Sequence, residues 1–279
     1  MKPNEPSRTA LMIARQRAAH QLLDRGSILH DPFAIKILRE EENNALQFAT
    51  AHSSASIGRL FTAARSRIAE DALSKAVEGG VRQIVILGAG LDTFALRNPH
   101  AAQQIRIFEA DHPATQAWKR QRMSEAEVPL PPWLTFVPVD FEQDDLRETL
   151  AAVGFQYSSP AFFTWLGVVP YLTQDAIDRT LDYISSIQNS ELVFDYLRPP
   201  EAFSEELKQI EIKRAEQLEK MGERSATRFE PAGIATILQS HGFHTIEDID
   251  YQQVVSMFGH AVQGLASGHA GLHVVHAKR

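Results

Sequence analysis

The sequence predicts an α/β fold built on a mostly parallel sheet, and three observations carry that expectation. Five short apolar runs, at residues 83–87, 105–109, 135–139, 161–165 and 192–195, alternate with amphipathic stretches, the rhythm of strands joined by crossover helices. The first run, Ile84-Val85-Ile86-Leu87, is apolar at every position, which suits a central strand covered on both faces. A glycine turn, Gly88-Ala89-Gly90, follows it directly, at the sheet edge where open α/β folds hold ligands.

The elements follow in order. From Thr9 to about Ala76 the pattern is helical, with Leu11, Ala14, Ala18 and Leu22, then Ile57, Leu60, Phe61, Ala64, Ile68 and Leu73, recurring at three- and four-residue spacing. Asp31-Pro32 interrupts it, because proline disfavours helical geometry in the residue before it and favours a new first turn, so a helix restarts at Phe33. Gly79-Gly80 ends the helical region and the strand rhythm begins. Pro199-Pro200 opens a charged helical run through Glu205, Lys208, Glu211, Lys213, Arg214, Glu216 and Lys220, read as an insertion or lid. A helix over 231–241 closes at Gly242, and two late strands over 244–249 and 272–276 form an antiparallel C-terminal hairpin. The expected layout is a single domain: an N-terminal helical cap over 1–80, a ligand-binding core over 81–198, the insertion over 199–230, and a C-terminal helix and strands over 231–279.

With 279 residues and 44% hydrophobic content, the chain is long enough for one large core. A net charge of −7 argues against a nucleic-acid partner, which needs a concentrated basic surface. Cysteine is absent, which excludes disulfides, thiolate metal sites and cysteine nucleophiles. Residues 1–6 lead into an amphipathic stretch with no apolar run before a small-residue cleavage site, and no segment reaches the ~18 apolar residues of a membrane span. The expectation is a cytoplasmic chain with no membrane partner.

The glycines at 88 and 90 let the backbone turn sharply and approach a ligand without a Cβ in the way. The third glycine of the dinucleotide fingerprint is missing, since the run continues Leu91-Asp92-Thr93. About twenty residues on, Glu109 and Asp111 stand at the end of the next strand, where an acid accepts hydrogen bonds from both hydroxyls of a ribose. Period-2 alternation puts them on one face, and one of the two is expected to meet the ligand. The third strand ends Val139-Asp140-Phe141, a carboxylate for an exocyclic amine and an aromatic to line an adenine slot.

These blocks resemble the bacterial relatives of leucine carboxyl methyltransferase, a class I group that uses S-adenosylmethionine. The resemblance runs through Thr9-Ala10-Leu11 to Arg17-Ala18, Asp31-Pro32-Phe33-Ala34, Ala64-Arg65-Ser66-Arg67, Leu87-Gly88-Ala89-Gly90-Leu91-Asp92-Thr93, Phe108-Glu109-Ala110-Asp111, Val139-Asp140-Phe141 and Gly167 to Leu172. It implies a Rossmann-like class I methyltransferase fold, with a mostly parallel seven-stranded sheet, an antiparallel C-terminal hairpin and an N-terminal helical cap. It also implies O-methylation of a carboxylate or hydroxyl on a small molecule. By the same resemblance, Arg65 pairs with the carboxylate of the cofactor's methionyl part, Gly88 and Gly90 meet its backbone side, Asp111 holds the ribose, and Asp140 with Phe141 flanks the adenine. Each role suits its side chain, because guanidinium and carboxylate form charge-assisted pairs and a carboxylate only accepts.

One position departs from the family. Many relatives carry Glu where this chain has Leu166, within Trp165-Leu166-Gly167-Val168-Val169-Pro170-Tyr171, so a carboxylate contact to the methionyl end is lost there. Methyl transfer needs in-line positioning and, for weakly acidic nucleophiles, a base, so no diagnostic dyad is expected. Tyr171, Tyr196 and Arg198, at strand ends, are the candidates for acceptor contact. A metal reading of His260, His269, His273 and His276 is disfavoured, since the last two are three apart on a strand and face opposite sides. Two other readings stay open: an NAD(P)-dependent oxidoreductase, although a Tyr followed four residues later by Lys is missing, and a non-catalytic cofactor-binding protein.

Overall fold

The computed structural model describes residues 6–39, 44, 47, 55–203, 205, 208, 209, 211, 212, 216, 227–259 and 271–279. In chain order these form helices α1 (Arg8–Leu23), α2 (Ala34–Leu38) and α3 (Ala55–Glu78), strand β1 (Gln83–Leu87), the short helix α4 (Phe94–Arg97), β2 (Arg106–Asp111) and α5 (Pro113–Glu125). They continue as β3 (Leu134–Pro138), α6 (Leu146–Ala152), β4 (Ala161–Trp165), α7 (Gln174–Ser185), β5 (Glu191–Leu197), α8 (Pro231–Ser240), β6 (Thr245–Asp250), α9 (Tyr251–Ser256) and β7 (Leu272–Lys278).

The strands make one seven-stranded sheet in the order β3-β2-β1-β4-β5-β7-β6. The first five pair in parallel, and β7 runs antiparallel to both β5 and β6. This is the mostly parallel sheet with an antiparallel C-terminal hairpin that the apolar rhythm predicts. The order reverses beside β1, whose neighbours β2 and β4 lie on either side of it; a crevice forms outside the strand ends at such a switch point.

β1 is buried along its whole length because both faces are covered. Val85 and Leu87 join Phe163, Phe194 and Leu181 on one side of the sheet, under α6, α7 and α8. Ile84 and Ile86 join Leu73, Phe162 and Val254 on the other, under α3 and α9. Each such large apolar side chain contributes about 1.5–3 kcal/mol on burial. A third cluster, Ala14, Ala18, Ile37, Leu38 and Met123, packs α1 and α2 against α5.

Helix ends follow local rules. Ser7 caps α1 by accepting from the Ala10 N–H at 3.1 Å; Phe33 precedes α2, where the Asp31-Pro32 break predicts the restart; and Gly242, at φ +83°, follows the end of α8. Of the charged run expected after Pro199-Pro200, the structure describes the Pro200–Ala202 turn and the Glu205–Lys208 pair at 2.6 Å, whereas Lys213, Arg214 and Lys220 lie outside the described residues. His260 and His269 lie outside them as well. No helix among the described residues is long and apolar enough to cross a membrane, and no group of three His, Cys, Asp or Glu among them is arranged to hold a metal ion.

Candidate active site

A cavity of about 390 Å³ opens at the C-terminal ends of β1 to β4, within the about 300–1,000 Å³ of small-molecule sites. The turn after β1 forms its floor. Gly88 and Gly90 both take positive φ, +66° and +49°, which L side chains rarely adopt. A Cβ on Gly88 would lie 2.2 Å from Cγ2 of Val168, and one on Gly90 would lie 3.0 Å from Cβ of Ala10. The glycines thus let the turn after β1 meet the turn after β4 and the first helix at backbone distance.

The acid at the end of β2 is bound to this turn. Oδ2 of Asp111 accepts from the Gly90 N–H at 2.5 Å and Oδ1 accepts from the His112 N–H at 2.6 Å. Burial pushes the Asp111 carboxyl above the usual carboxylate range, against the pull of these N–H groups. Its partner in the sequence pattern, Glu109, does not line the cavity. It is buried against α5, where Nζ of Lys119 donates to its Oε2 at 2.5 Å. Both acids leave the same face, but β2 runs two residues past the predicted end, so Asp111 reaches the rim while α5 covers Glu109.

Asp140 and Phe141 line the cavity beyond β3. The Asp140 side chain accepts from the Glu142 N–H and from Nε2 of Gln143, each at 3.0 Å, which holds the turn. His112 lies beside them as the N-cap of α5, accepting from the Ala114 N–H at 3.2 Å. Asp-His-Pro is a helix-start signature, and it was the available signal for this lining residue.

Arg65, from the middle of α3, lines the cavity from the cap side. Its Nη1 donates to Oδ2 of Asp195 on β5 at 2.6 Å, and both side chains are buried. The acids further along α3 are engaged elsewhere: Glu70 pairs with Arg97 and Asp71 with Arg67. Leu166 packs with the apolar cluster beneath α3 and leaves position 166 without a charge.

A second guanidinium reaches the cavity from α1. Arg17 pairs with Asp31 at 2.7 Å and with Asp92 at 3.0 Å, and donates to Thr93 Oγ1 at 2.5 Å. Thr93 in turn donates to Asp31 at 2.6 Å. Burial pushes the Asp92 carboxyl up, but the charges of Arg17, Lys119 and Arg97 outweigh it and hold it below the usual range. The sequence shows Arg17 and Asp92 as family blocks without showing that they meet.

Tyr171 lines the cavity, whereas Tyr196 and Arg198 do not. Tyr196 points to the opposite side of β5, stacked on His273 with ring centroids 5.0 Å apart and donating to Asp248 at 2.7 Å. Arg198 pairs with Glu230 at 2.7 Å.

The donor set suits an amino-acid nucleoside. Arg65 brings a guanidinium whose buried Nε has no hydrogen-bond partner among the described residues, Asp111 brings an acceptor for hydroxyls, and the glycine turn brings backbone close to both. The sheet order and the cavity at its switch point put the ligand site at the strand ends, and the family and relatives that follow make the chain an S-adenosylmethionine-dependent methyltransferase. The chain belongs to the leucine carboxyl methyltransferase family, whose model matches residues 10–185. Along almost its whole length it is similar to YktD of Bacillus subtilis (strain 168), a relative named for S-adenosyl-L-methionine-dependent methyl transfer: 29% identical, covering 99% of each chain. A relative of the same naming from Mycobacterium avium (strain 104) is 33% identical over 51% of this chain and 46% of its own. The fold is shared with the crystal structure of a Thermobifida fusca YX protein described as a methyltransferase, at TM-score 0.58 and 18% identity over 100% of this chain and 96% of that one. The family and the relatives set aside the oxidoreductase reading and support an enzyme over a non-catalytic binder.

Proposed function

We propose that this cavity is the S-adenosylmethionine site and that the chain methylates a carboxylate or hydroxyl oxygen of a small molecule. The observation that supports it best is one cavity collecting Arg65, the Gly88–Gly90 turn, Asp111, Asp140 and Phe141. In this reading Arg65 pairs with the methionyl carboxylate, Gly88 and Gly90 admit the ligand at backbone distance, and Asp111 accepts from the ribose hydroxyls. Asp140 accepts from the adenine amine and Phe141 covers the ring. When bound, S-adenosylmethionine supplies a methyl group on a positively charged sulfur.

The use made of the lining carboxylates supports an oxygen acceptor. Asp92 is engaged by Arg17, Asp111 by the Gly90 and His112 N–H groups, Asp140 by its own turn, and Glu142 by Thr173. Carboxylates committed in this way suit an acceptor that is already ionised at neutral pH, and a carboxylic acid is one. A hydroxyl acceptor requires a base, and Tyr171 is the lining candidate for contact with it.

A panel of small carboxylic acids and alcohols, incubated with the protein and S-adenosylmethionine carrying a labelled methyl group, tests this reading. Cofactor-dependent labelling of one or more small acids is the expected result. Labelling confined to proteins in an extract, with the whole panel silent, contradicts the small-molecule assignment.

A further inference from the structure

The Asp195 carboxylate joins α3, the turn after β4 and strand β5. Its Oδ2 accepts from Nη1 of Arg65 at 2.6 Å, and its Oδ1 accepts from the Gly167 N–H at 2.5 Å. The side chains of Asp195 and Arg65 are 5% and 7% exposed, so water does little to weaken the pair. Gly167 is shaped to this contact: its φ is +74°, and a Cβ there would lie 2.8 Å from Nη2 of Arg65. The guanidinium therefore lies against the Gly167 backbone, held by one carboxylate that holds that backbone too.

We infer that Asp195 is the positioning residue for the methionyl end of the cofactor, fixing Arg65 and the Gly167 turn together. The inference rests on the reading that Arg65 meets the cofactor. Long guanidinium side chains have many rotamers, and binding is weakened by the entropy of ordering them. With Nη1 fixed on Asp195, that ordering is complete before the ligand arrives. Leu166 offers only apolar surface beside this turn, and Asp195 is the carboxylate that contacts both Arg65 and the Gly167 backbone. Asp195 itself does not line the cavity, so its effect passes through Arg65 and Gly167.

The test compares two ligands on the full-length protein by titration calorimetry: S-adenosylmethionine, and 5′-methylthioadenosine, which lacks the amino-acid end. Asp195→Asn should weaken S-adenosylmethionine binding about tenfold or more and leave methylthioadenosine within about twofold. Arg65→Ala should show the same split, and the double variant should lose no more than Arg65→Ala alone, because one effect passes through the other. If Arg65→Ala leaves S-adenosylmethionine affinity unchanged, the role given to Arg65 is wrong. If Arg65→Ala shows the split but Asp195→Asn binds S-adenosylmethionine as tightly as the unmodified chain or tighter, the positioning role is wrong. Equal losses for both ligands in Asp195→Asn overturn it too, since they mark a general loosening of the sheet edge. Should Asp195→Asn fail to fold, Asp195→Glu keeps the charge and shifts it by one methylene; a selective loss there supports the role, and a shared loss or none overturns it.

Discussion

Arg17 on the first helix and Asp92 in the glycine turn lie 3.0 Å apart, and the same guanidinium holds Asp31 at 2.7 Å. One buried cation thus joins the N-terminal helix, the Asp-Pro break and the turn that floors the cavity. Removing one member of such a buried cluster leaves uncompensated charge, which costs about 3–5 kcal/mol. Arg17→Ala is expected to lower stability by that amount, read by denaturant unfolding. Arg17→Lys is expected to recover only part of it, because a point charge cannot span Asp31, Asp92 and Thr93 as the planar fork does.

Gly88→Ala is expected to destabilise the chain and impair cofactor binding. Its φ of +66° strains any side chain, and the new Cβ would lie 2.2 Å from Val168 Cγ2. The backbone strain amounts to roughly 1–2 kcal/mol, and the steric clash adds to it. Val168→Ala in the same chain removes that methyl and is expected to restore part of the loss, a coupling that a double-mutant cycle on melting temperature detects.

Asp24 gives a pH dependence of stability. Burial pushes its carboxyl up, but hydrogen bonds from His20 and Arg59 outweigh that and hold it at about 2. A carboxyl depressed in the folded state contributes stability that is present above the unfolded value, near 4, and lost as pH falls towards 2. Allowing for solvent screening, the contribution is on the order of 1–2 kcal/mol. Asp24→Asn should lower stability at neutral pH by that much and flatten the fall between pH 4 and 2 in acid titrations followed by circular dichroism.

Asp111 acts in the opposite sense. Burial raises its carboxyl above the usual range, so it takes up a proton at a higher pH than an exposed aspartate. A protonated carboxyl has one acceptor fewer for ribose hydroxyls. Cofactor affinity is expected to fall as pH drops through that raised range, and Asp111→Asn is expected to bind more weakly at neutral pH and to lose this acidic limb in calorimetry.

Much of this was legible in the sequence where local chemistry decides the outcome. β1 and β4 fall on residues 83–87 and 161–165 as predicted, because each is an apolar run with clear breaks on either side. β2 extends two residues beyond its apolar run, to Asp111, since Asp111 is polar and its place in the ladder depends on pairing with Pro138 of β3. Gly88, Gly90, Asp111, Asp140, Phe141, Tyr171 and Arg65, the candidates named from the sequence, line one cavity. What was not legible is which distant residues meet. Arg65 and Asp195 are 130 positions apart, and Arg17 and Asp92 are 75 apart. Alternation along β5 hid the relevant side chain: Tyr196 stands out in the sequence, but it faces Asp248 and His273, while its neighbour Asp195 faces Arg65.

The central claim is that this cavity binds S-adenosylmethionine through Arg65 and Asp111, and titration calorimetry tests it most directly. S-adenosylmethionine and its demethylated product are expected to bind the unmodified chain, nicotinamide dinucleotides are not, and Asp111→Ala or Arg65→Ala should each weaken S-adenosylmethionine by about 1.5–3 kcal/mol, the scale of a hydrogen bond to a charged group. Affinity unchanged in both variants with the fold intact, or a preference for the dinucleotide, would contradict it.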